Sequence, residues 1–129
     1  MDNLHRALSA PIIPIDWKEE IRSLRASDSY HSAHHSARTL AKHDTLRVVL
    51  VVMRTGGRMD EHHADSTISV HCLEGRFRFE VGGSGYDLTP GQLLIVGERL
   101  PHGVVAIEEG AFLLTVGEQH PEHGRPATL

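Results

Sequence analysis

Two histidines, His62 and His102, are the side chains in this sequence whose positions most favour chemistry. An imidazole exchanges protons near neutral pH and is a common ligand of transition metals. His102 follows a turn that contains Pro101, and it enters an apolar segment that can form a strand opposite the strand of His62. The two side chains are therefore predicted to face a shared interior pocket.

The residues that follow His62 extend this pocket by strand periodicity. Side chains at alternate positions of a strand line one face, so if His62 points inward, Ala64 does so too on a regular strand. Ile68, Val70 and Cys72 continue that face. Such a wall is mostly apolar with a few polar groups, as small-molecule sites usually are. The predicted pocket residues are His62, Ala64, Ile68, Val70, Cys72 and His102.

A metal ion at the two histidines would need further ligands, because transition ions in proteins take three or four N, O or S donors. The third ligand could be Glu61 or His63, which face outward on a regular strand but which a bulge would turn inward. The metal prediction is therefore Fe, Mn, Ni or Zn on His62 and His102 with one of these neighbours. A metal-free pocket with two hydrogen-bonded histidines is the alternative.

Two further side chains are predicted to be structural. His71 faces away from the pocket by parity with Ile68, toward a neighbouring element or a second subunit. Cys72 faces inward, where cysteine usually behaves as a small hydrophobic residue. Neither a phosphate-binding glycine loop nor a nucleophile elbow occurs in the sequence.

The segment from residue 36 to residue 117 is predicted to form strands. Residues 46–53 are almost uniformly apolar, which indicates a strand buried on both faces. Residues 68–73 and 77–81 alternate apolar and polar side chains, a glycine turn follows at 82–85, and a further turn is predicted at 108–110. About seven short strands with regularly spaced turns indicate an all-β barrel or sandwich.

An N-terminal arm (1–35) precedes the barrel, and a polar tail (118–129) follows it. Asp16 can cap a helix over about residues 17–26, and Trp17, Ile21 and Leu24 form an apolar stripe that should dock on the barrel or on a second subunit. Four of the eleven histidines lie in a polar segment before the core, which is predicted to be solvated and loosely ordered.

Composition limits the class of protein. A chain of 129 residues is one domain, and a formal charge of −4 with scattered basic residues argues against nucleic-acid binding. One cysteine excludes an internal disulfide. The longest apolar run is too short to span a membrane, and no signal peptide is recognised. We therefore expect a cytoplasmic protein without a membrane partner.

The spacing of several residues resembles the two motifs of the cupin superfamily. In the first motif Gly56 and His62 match, and Gly75 closes it at the family's distance. In the second motif Gly91 and His102 match. The resemblance covers about eighty residues and implies a single antiparallel jelly-roll barrel with a short N-terminal helix. Cupins of this length commonly pair, so a homodimer is implied as well.

The sequence departs from the family at the residues that bind metal. Ala64 stands where cupins have a second histidine, and Ile68 stands where they have a glutamate. In the second motif Gly97, Arg99 and Ala106 replace a proline, a glycine and an asparagine. Only two of the four usual ligands remain, so the resemblance implies a degenerate metal motif.

Two functions from different classes follow, and whether the chain is an enzyme stays open. The first is a small stand-alone cupin that binds a small organic molecule in the barrel interior, which Ala64 and Ile68 favour. The alternative is a metal-dependent dioxygenase, isomerase or lyase that uses His62 and His102 as ligands. A metal-free epimerase-like cupin with either histidine as base is a third possibility.

Overall fold

The computed structural model describes residues 7–62 and 65–117, without the side chain of His62. Two helices precede seven strands. Their bounds are α1 Trp17–Arg25, α2 Asp28–Ala33, β1 His35–Lys42, β2 Leu46–Met53, β3 Arg58–His62, β4 Ile68–Val81, β5 Ser84–Leu88, β6 Leu93–Val96 and β7 His102–Gly117. All strand pairs are antiparallel, as the sequence predicts for a jelly roll.

Two long, bent strands organise the barrel. β4 and β7 pair along nearly their whole length, and three register irregularities interrupt their ladder between Cys72 and Phe77. The bend divides the sheet into two halves. The first half has the order β3, β7, β4, β5 and the second has the order β1, β2, β7, β4, β6. The halves fold over each other and enclose one core, which includes Phe79 of the first half and Phe112 of the second.

Glycine makes the bend possible. A Cβ atom on Gly110 would lie 2.0 Å from the carbonyl oxygen of Glu74, and one on Gly75 would lie 2.3 Å from the carbonyl oxygen of Glu109. Gly75 also has a φ of +79°, which only glycine adopts at low cost. The backbones of β4 and β7 can therefore approach each other more closely at the bend than a residue with a side chain would allow.

β2 is buried on both faces over residues 50–53, as its almost uniformly apolar sequence predicts. Val51 and Met53 point into the barrel core, and Leu50 and Val52 point outward into a second cluster beneath α1. Helix α1 begins at the predicted cap, because the Asp16 side chain accepts a hydrogen bond from the Glu19 amide. Its predicted apolar stripe docks on the barrel through Ile21 and Leu24.

The prediction of a loosely ordered, histidine-rich segment before the core is wrong. Residues 28–33 form α2, and β1 follows directly, so the arm holds two helices rather than one. Ser27 caps α2, and Tyr30 anchors it with a side chain that is 4% exposed. Local composition did not predict this order, because the segment is held by one buried tyrosine and by the ladder of β1 with β2.

The predicted turn at residues 108–110 is also wrong. The chain stays extended from His102 to Gly117 as one strand, and the glycine at position 110 marks the bend and not a reversal of direction. The two predicted segments 68–73 and 77–81 likewise belong to one strand. The predicted polar tail lies outside the described residues. No helix in the described ranges is long and apolar enough to cross a membrane.

Candidate functional site

His102 is the first residue of β7 and lies between two neighbouring strands. In the ladders of the first half, His102 is the register partner of Val81 on β4 and of His62 on β3. Residues directly opposite each other in antiparallel strands lie on one face of the sheet. The backbone therefore places the two predicted histidines next to each other on adjacent strands.

A bulge in β3 produces this register. Met59 pairs with Val104 and His62 pairs with His102, so one extra residue of β3 lies between the two pairs. Without the bulge, Glu61 would be the partner of His102. The bulge packs over Gly103, where an added Cβ would lie 3.2 Å from the Glu61 nitrogen and from the Met59 oxygen. A β3 bulge is thus part of the site, and it shifts by one residue the position of β3 that pairs with His102.

The His102 ring is held by a backbone carbonyl. Its Nδ1 atom lies 3.0 Å from the oxygen of Leu100, and the side chain is 8% exposed. A carbonyl oxygen only accepts hydrogen bonds, so Nδ1 carries the proton. The neutral ring then has its lone pair on Nε2. An imidazole nitrogen in this form is the type of atom that accepts a hydrogen bond or binds a metal ion.

The site lies at the end of the barrel interior that is farthest from the bend. On β7, exposure falls from 8% at His102 and 7% at Val104 to 1% at Ala106. β4 and β7 bend together, and Ile68 and Val116 of the second half share one core cluster with Val104 and Val81 of the first half. We call this end of the interior, lined by His102, Val81, Val104, Met59, Ile68 and Val116, the mouth.

An aromatic cluster closes the interior below the mouth. Phe112 packs edge-on against Phe77 and Phe79, with ring centroids 5.0 and 5.3 Å away. All three side chains are 3% exposed or less. Protein interiors with such packing contain few voids larger than a water molecule. A ligand that touches His102 would therefore rest on this cluster and not pass beneath it.

The predicted pocket residues occupy different depths. Ile68 is at the mouth, while Val70 and Cys72 follow toward the bend and are packed in the core at 1% and 0% exposure. His71 lies on the opposite face of β4, as parity predicts, and is half-buried. Ala64 and His63 lie outside the described residues. The Glu61 side chain is exposed.

Sequence reasoning missed part of the mouth. Val81 and Val104 flank His102, and Met59 lies beside Val104 across the β3 ladder. The alternation of Phe77, Phe79 and Val81 with charged residues does predict that Val81 lies on the inner face. Only the pairing of β4 with β7, which no local pattern specifies, brings Val81 to His102.

Cys72 is buried in a way that suppresses thiol chemistry. Its Sγ atom lies 3.6 Å from the carbonyl oxygen of Glu74, and burial raises the pKa of the thiol to about 11. We expect no reaction of the native protein with a thiol reagent at pH 8, and one reactive thiol after unfolding in guanidinium chloride.

The same pKa predicts a loss of stability at alkaline pH. A pKa that is higher in the folded than in the unfolded state stabilises the protein below about pH 8.5, the ordinary thiol value. The contribution disappears as the pH rises toward 11. Between pH 9 and 10.5 the free energy of unfolding should fall faster in the wild type than in Cys72→Ala, by up to about 1.4 kcal/mol per pH unit. Parallel slopes in denaturant titrations would contradict this.

The described donors at the mouth do not by themselves make a metal site. Among the residues whose side chains the structure describes, no group of three or more His, Cys, Asp and Glu could hold a metal ion. His102 fits as a single ligand because its second nitrogen is held by a carbonyl, as metal-binding histidines commonly are. The apolar Ile68 at the same end of the interior does not fit.

The comparisons identify the class of protein. The family model for the cupin domain matches residues 49–117, which is more than half of the chain. The chain therefore belongs to the cupin family, as the resemblance in its sequence implied. No curated protein matches it.

Solved structures share the fold at low sequence identity. Salicylate 1,2-dioxygenase from Pseudoaminobacter salicylatoxidans, solved with gentisate, is 16% identical with a TM-score of 0.76, covering 88% of this chain and 35% of the dioxygenase chain. A conserved protein of unknown function from Streptococcus pyogenes is 18% identical with a TM-score of 0.67, covering 89% of this chain and 97% of its own. KdgF from Halomonas sp. is 21% identical with a TM-score of 0.60, covering 69% and 84%. At these identities the likeness concerns the fold alone.

Proposed function

We propose that this cupin binds a small organic molecule at the mouth, with a polar group of the ligand on His102. The observation that carries the proposal is a buried imidazole, anchored through Nδ1 by the Leu100 carbonyl, among otherwise apolar described side chains of the mouth. A few placed polar groups in an apolar cleft are typical of small-molecule sites.

The chemistry of the mouth selects a class of ligand. A hydroxyl group can donate a hydrogen bond to Nε2 of neutral His102, and a carboxylate can pair with the protonated ring. The body of the ligand would contact Val81 and Val104 above the phenylalanine cluster. Small hydroxylated or aromatic acids combine both features. Gentisate and salicylate are reasonable first probes, since a dioxygenase of this fold was solved with gentisate.

Binding to matched variants tests the proposal. We expect at least one hydroxy acid of a panel that includes gentisate and salicylate to bind the wild type in isothermal titration calorimetry. His102→Ala should weaken binding at least about tenfold, because a lost hydrogen bond to a charged partner costs about 1.5–3 kcal/mol. His71→Ala is the control, since His71 lies on the outer face of β4.

Two results would contradict this function. One is equal affinity of the wild type and His102→Ala for every ligand that binds. The other is a protein that binds no member of the panel and carries no co-purified small molecule in native mass spectrometry.

A metal-dependent dioxygenase, isomerase or lyase is the second candidate. It is favoured by the carbonyl-held ring of His102 and by the register that sets His62 opposite it. A divalent Fe, Mn, Ni or Zn ion there would polarise an oxygen atom of the substrate. Metal analysis of the untagged protein by mass spectrometry distinguishes the two candidates. Less than about a tenth of an equivalent after loading with each metal would reject the enzyme.

A further inference from the structure

Strand β6 is apolar on both of its faces. Leu94 and Val96 point into the barrel core, whereas Leu93 and Ile95 point outward and are 57% and 59% exposed. β2 is also apolar on both faces, and there α1 covers the outer side. Helix α1 covers the β2 side of this half of the sheet, so Leu93 and Ile95 remain exposed at its other edge.

The exposed residues of β6 belong to a larger surface. The register sets Ile95 beside Ser69 and Thr115, and it sets Leu93 beside His71 and Leu113. These six residues occupy two adjacent rows across β6, β4 and β7. We call them the outer patch. It contains no Asp, Glu, Lys or Arg.

The outer face of the other half of the sheet has the opposite character. Its described side chains include Arg58, Arg76, Arg78, Glu80 and Asp87. Arg76 and Arg78 form ion pairs with Asp87 at 2.8 and 3.2 Å. The outer face of the first half is therefore charged and suited to contact with water, whereas the outer patch is uncharged. Depletion of charge at the centre of a surface is typical of protein–protein interfaces.

We propose that the outer patch is the interface between two copies of this chain. If a two-fold axis relates the two copies, the patch of one copy faces the same patch of the other. Apolar side chains then cover apolar side chains, and no second, complementary surface is needed. The C-terminal segment outside the described residues suits the patch poorly. Residues 118–129 hold two glutamates, two histidines and an arginine, and Leu129 is their only large apolar side chain.

The size of the patch agrees with the centre of a dimer interface. With strands about 4.8 Å apart and rows about 7 Å apart, the three strands and two rows of the outer patch cover on the order of 200 Å². Each partner of a standard interface buries about 800 Å², and its rim is polar. The patch would therefore form the apolar centre, and the sheets would pack about 10 Å apart.

Mass measurement of single variants tests this interface. In analytical ultracentrifugation at about 50 µM, the wild type should sediment at twice the 14.3 kDa chain mass. Ile95→Glu and Leu93→Glu should each sediment at the chain mass, because they place a charge at the centre of the patch. Ile107→Glu is the matched control. Ile107 is 38% exposed on the outer face of the other half, so this variant should remain a dimer.

Several results would contradict the interface. A monomeric wild type would overturn it, and so would a dimer that survives both β6 substitutions or that Ile107→Glu also dissociates. Circular dichroism melting checks that the monomeric variants fold. Because two variants at exposed positions are measured, the test stands even if one of them does not fold. Ligand binding at His102 is a separate measurement, so a failed interface leaves the proposed function to its own test.

Discussion

Gly110→Ala is expected to destabilise the protein by about 3 kcal/mol or more, or to prevent folding. The added Cβ would lie 2.0 Å from the Glu74 carbonyl oxygen and 2.7 Å from the Glu74 carbonyl carbon. Both atoms belong to the backbone of β4, so no side-chain rotation relieves the overlap. The strands would have to separate where β4 and β7 bend together. Chemical denaturation measures the loss.

Gly97→Ala is the matched control. Its Cβ would have one neighbour, Leu100 Cδ1 at 4.0 Å, and the residue does not have a positive φ. We expect a change within about 0.5 kcal/mol, since substitutions at open positions usually have small effects. Equal stabilities of the Gly110→Ala and Gly97→Ala variants would show that β4 and β7 do not approach each other closely at Gly110.

Phe112→Ala is expected to cost about 3–5 kcal/mol. Phe112 is the central ring of the aromatic cluster, in edge contact with Phe77 and Phe79, and it connects the two halves of the sheet. Removing it leaves a cavity that the bent strands cannot close without losing their ladder. The same cavity should enlarge the floor of the mouth, so the variant should bind bulkier aromatic acids relatively better than the wild type does.

Tyr86→Ala provides the comparison within the same half of the sheet. Tyr86 is aromatic but 44% exposed, on the edge strand β5, and its loss should cost under about 1 kcal/mol. Thermal or denaturant unfolding followed by circular dichroism gives both values. A Phe112→Ala variant as stable as Tyr86→Ala would contradict the account of the core.

Local sequence patterns predicted the elements whose burial is set by their own residues. The almost uniformly apolar β2 and the capped helix α1 are examples, because one carries apolar side chains toward both of its faces and the other carries them at helical spacing. The bend at Gly75 and Gly110 was not predictable in this way. A glycine next to two glutamates is typical of a turn, and only the long pairing of β4 with β7 makes it a point of close approach between two strands.

The pairing of positions 62 and 102 could be predicted from the sequence, but the other neighbours of His102 could not. The motif spacing selected His62 and His102, and the ladder sets them opposite each other. Strand parity alone could not give the partners of His102, because the bulge in β3 shifts the register by one residue. Parity also could not give depth along the interior, so Val70 and Cys72 were assigned to the pocket wall, whereas in the structure they are packed toward the bend.

Ligand binding at the Nε2 atom of His102 is tested most directly by side-chain NMR of ¹⁵N-histidine-labelled protein. His102→Gln identifies the resonances of His102. In the free protein at neutral pH, they should report the Nδ1–H tautomer that the Leu100 carbonyl requires. Adding a ligand identified by calorimetry should shift Nε2 of His102 with the same affinity and leave His71 unchanged. An Nε2–H tautomer, or a bound ligand that leaves the His102 resonances unchanged, would contradict the account.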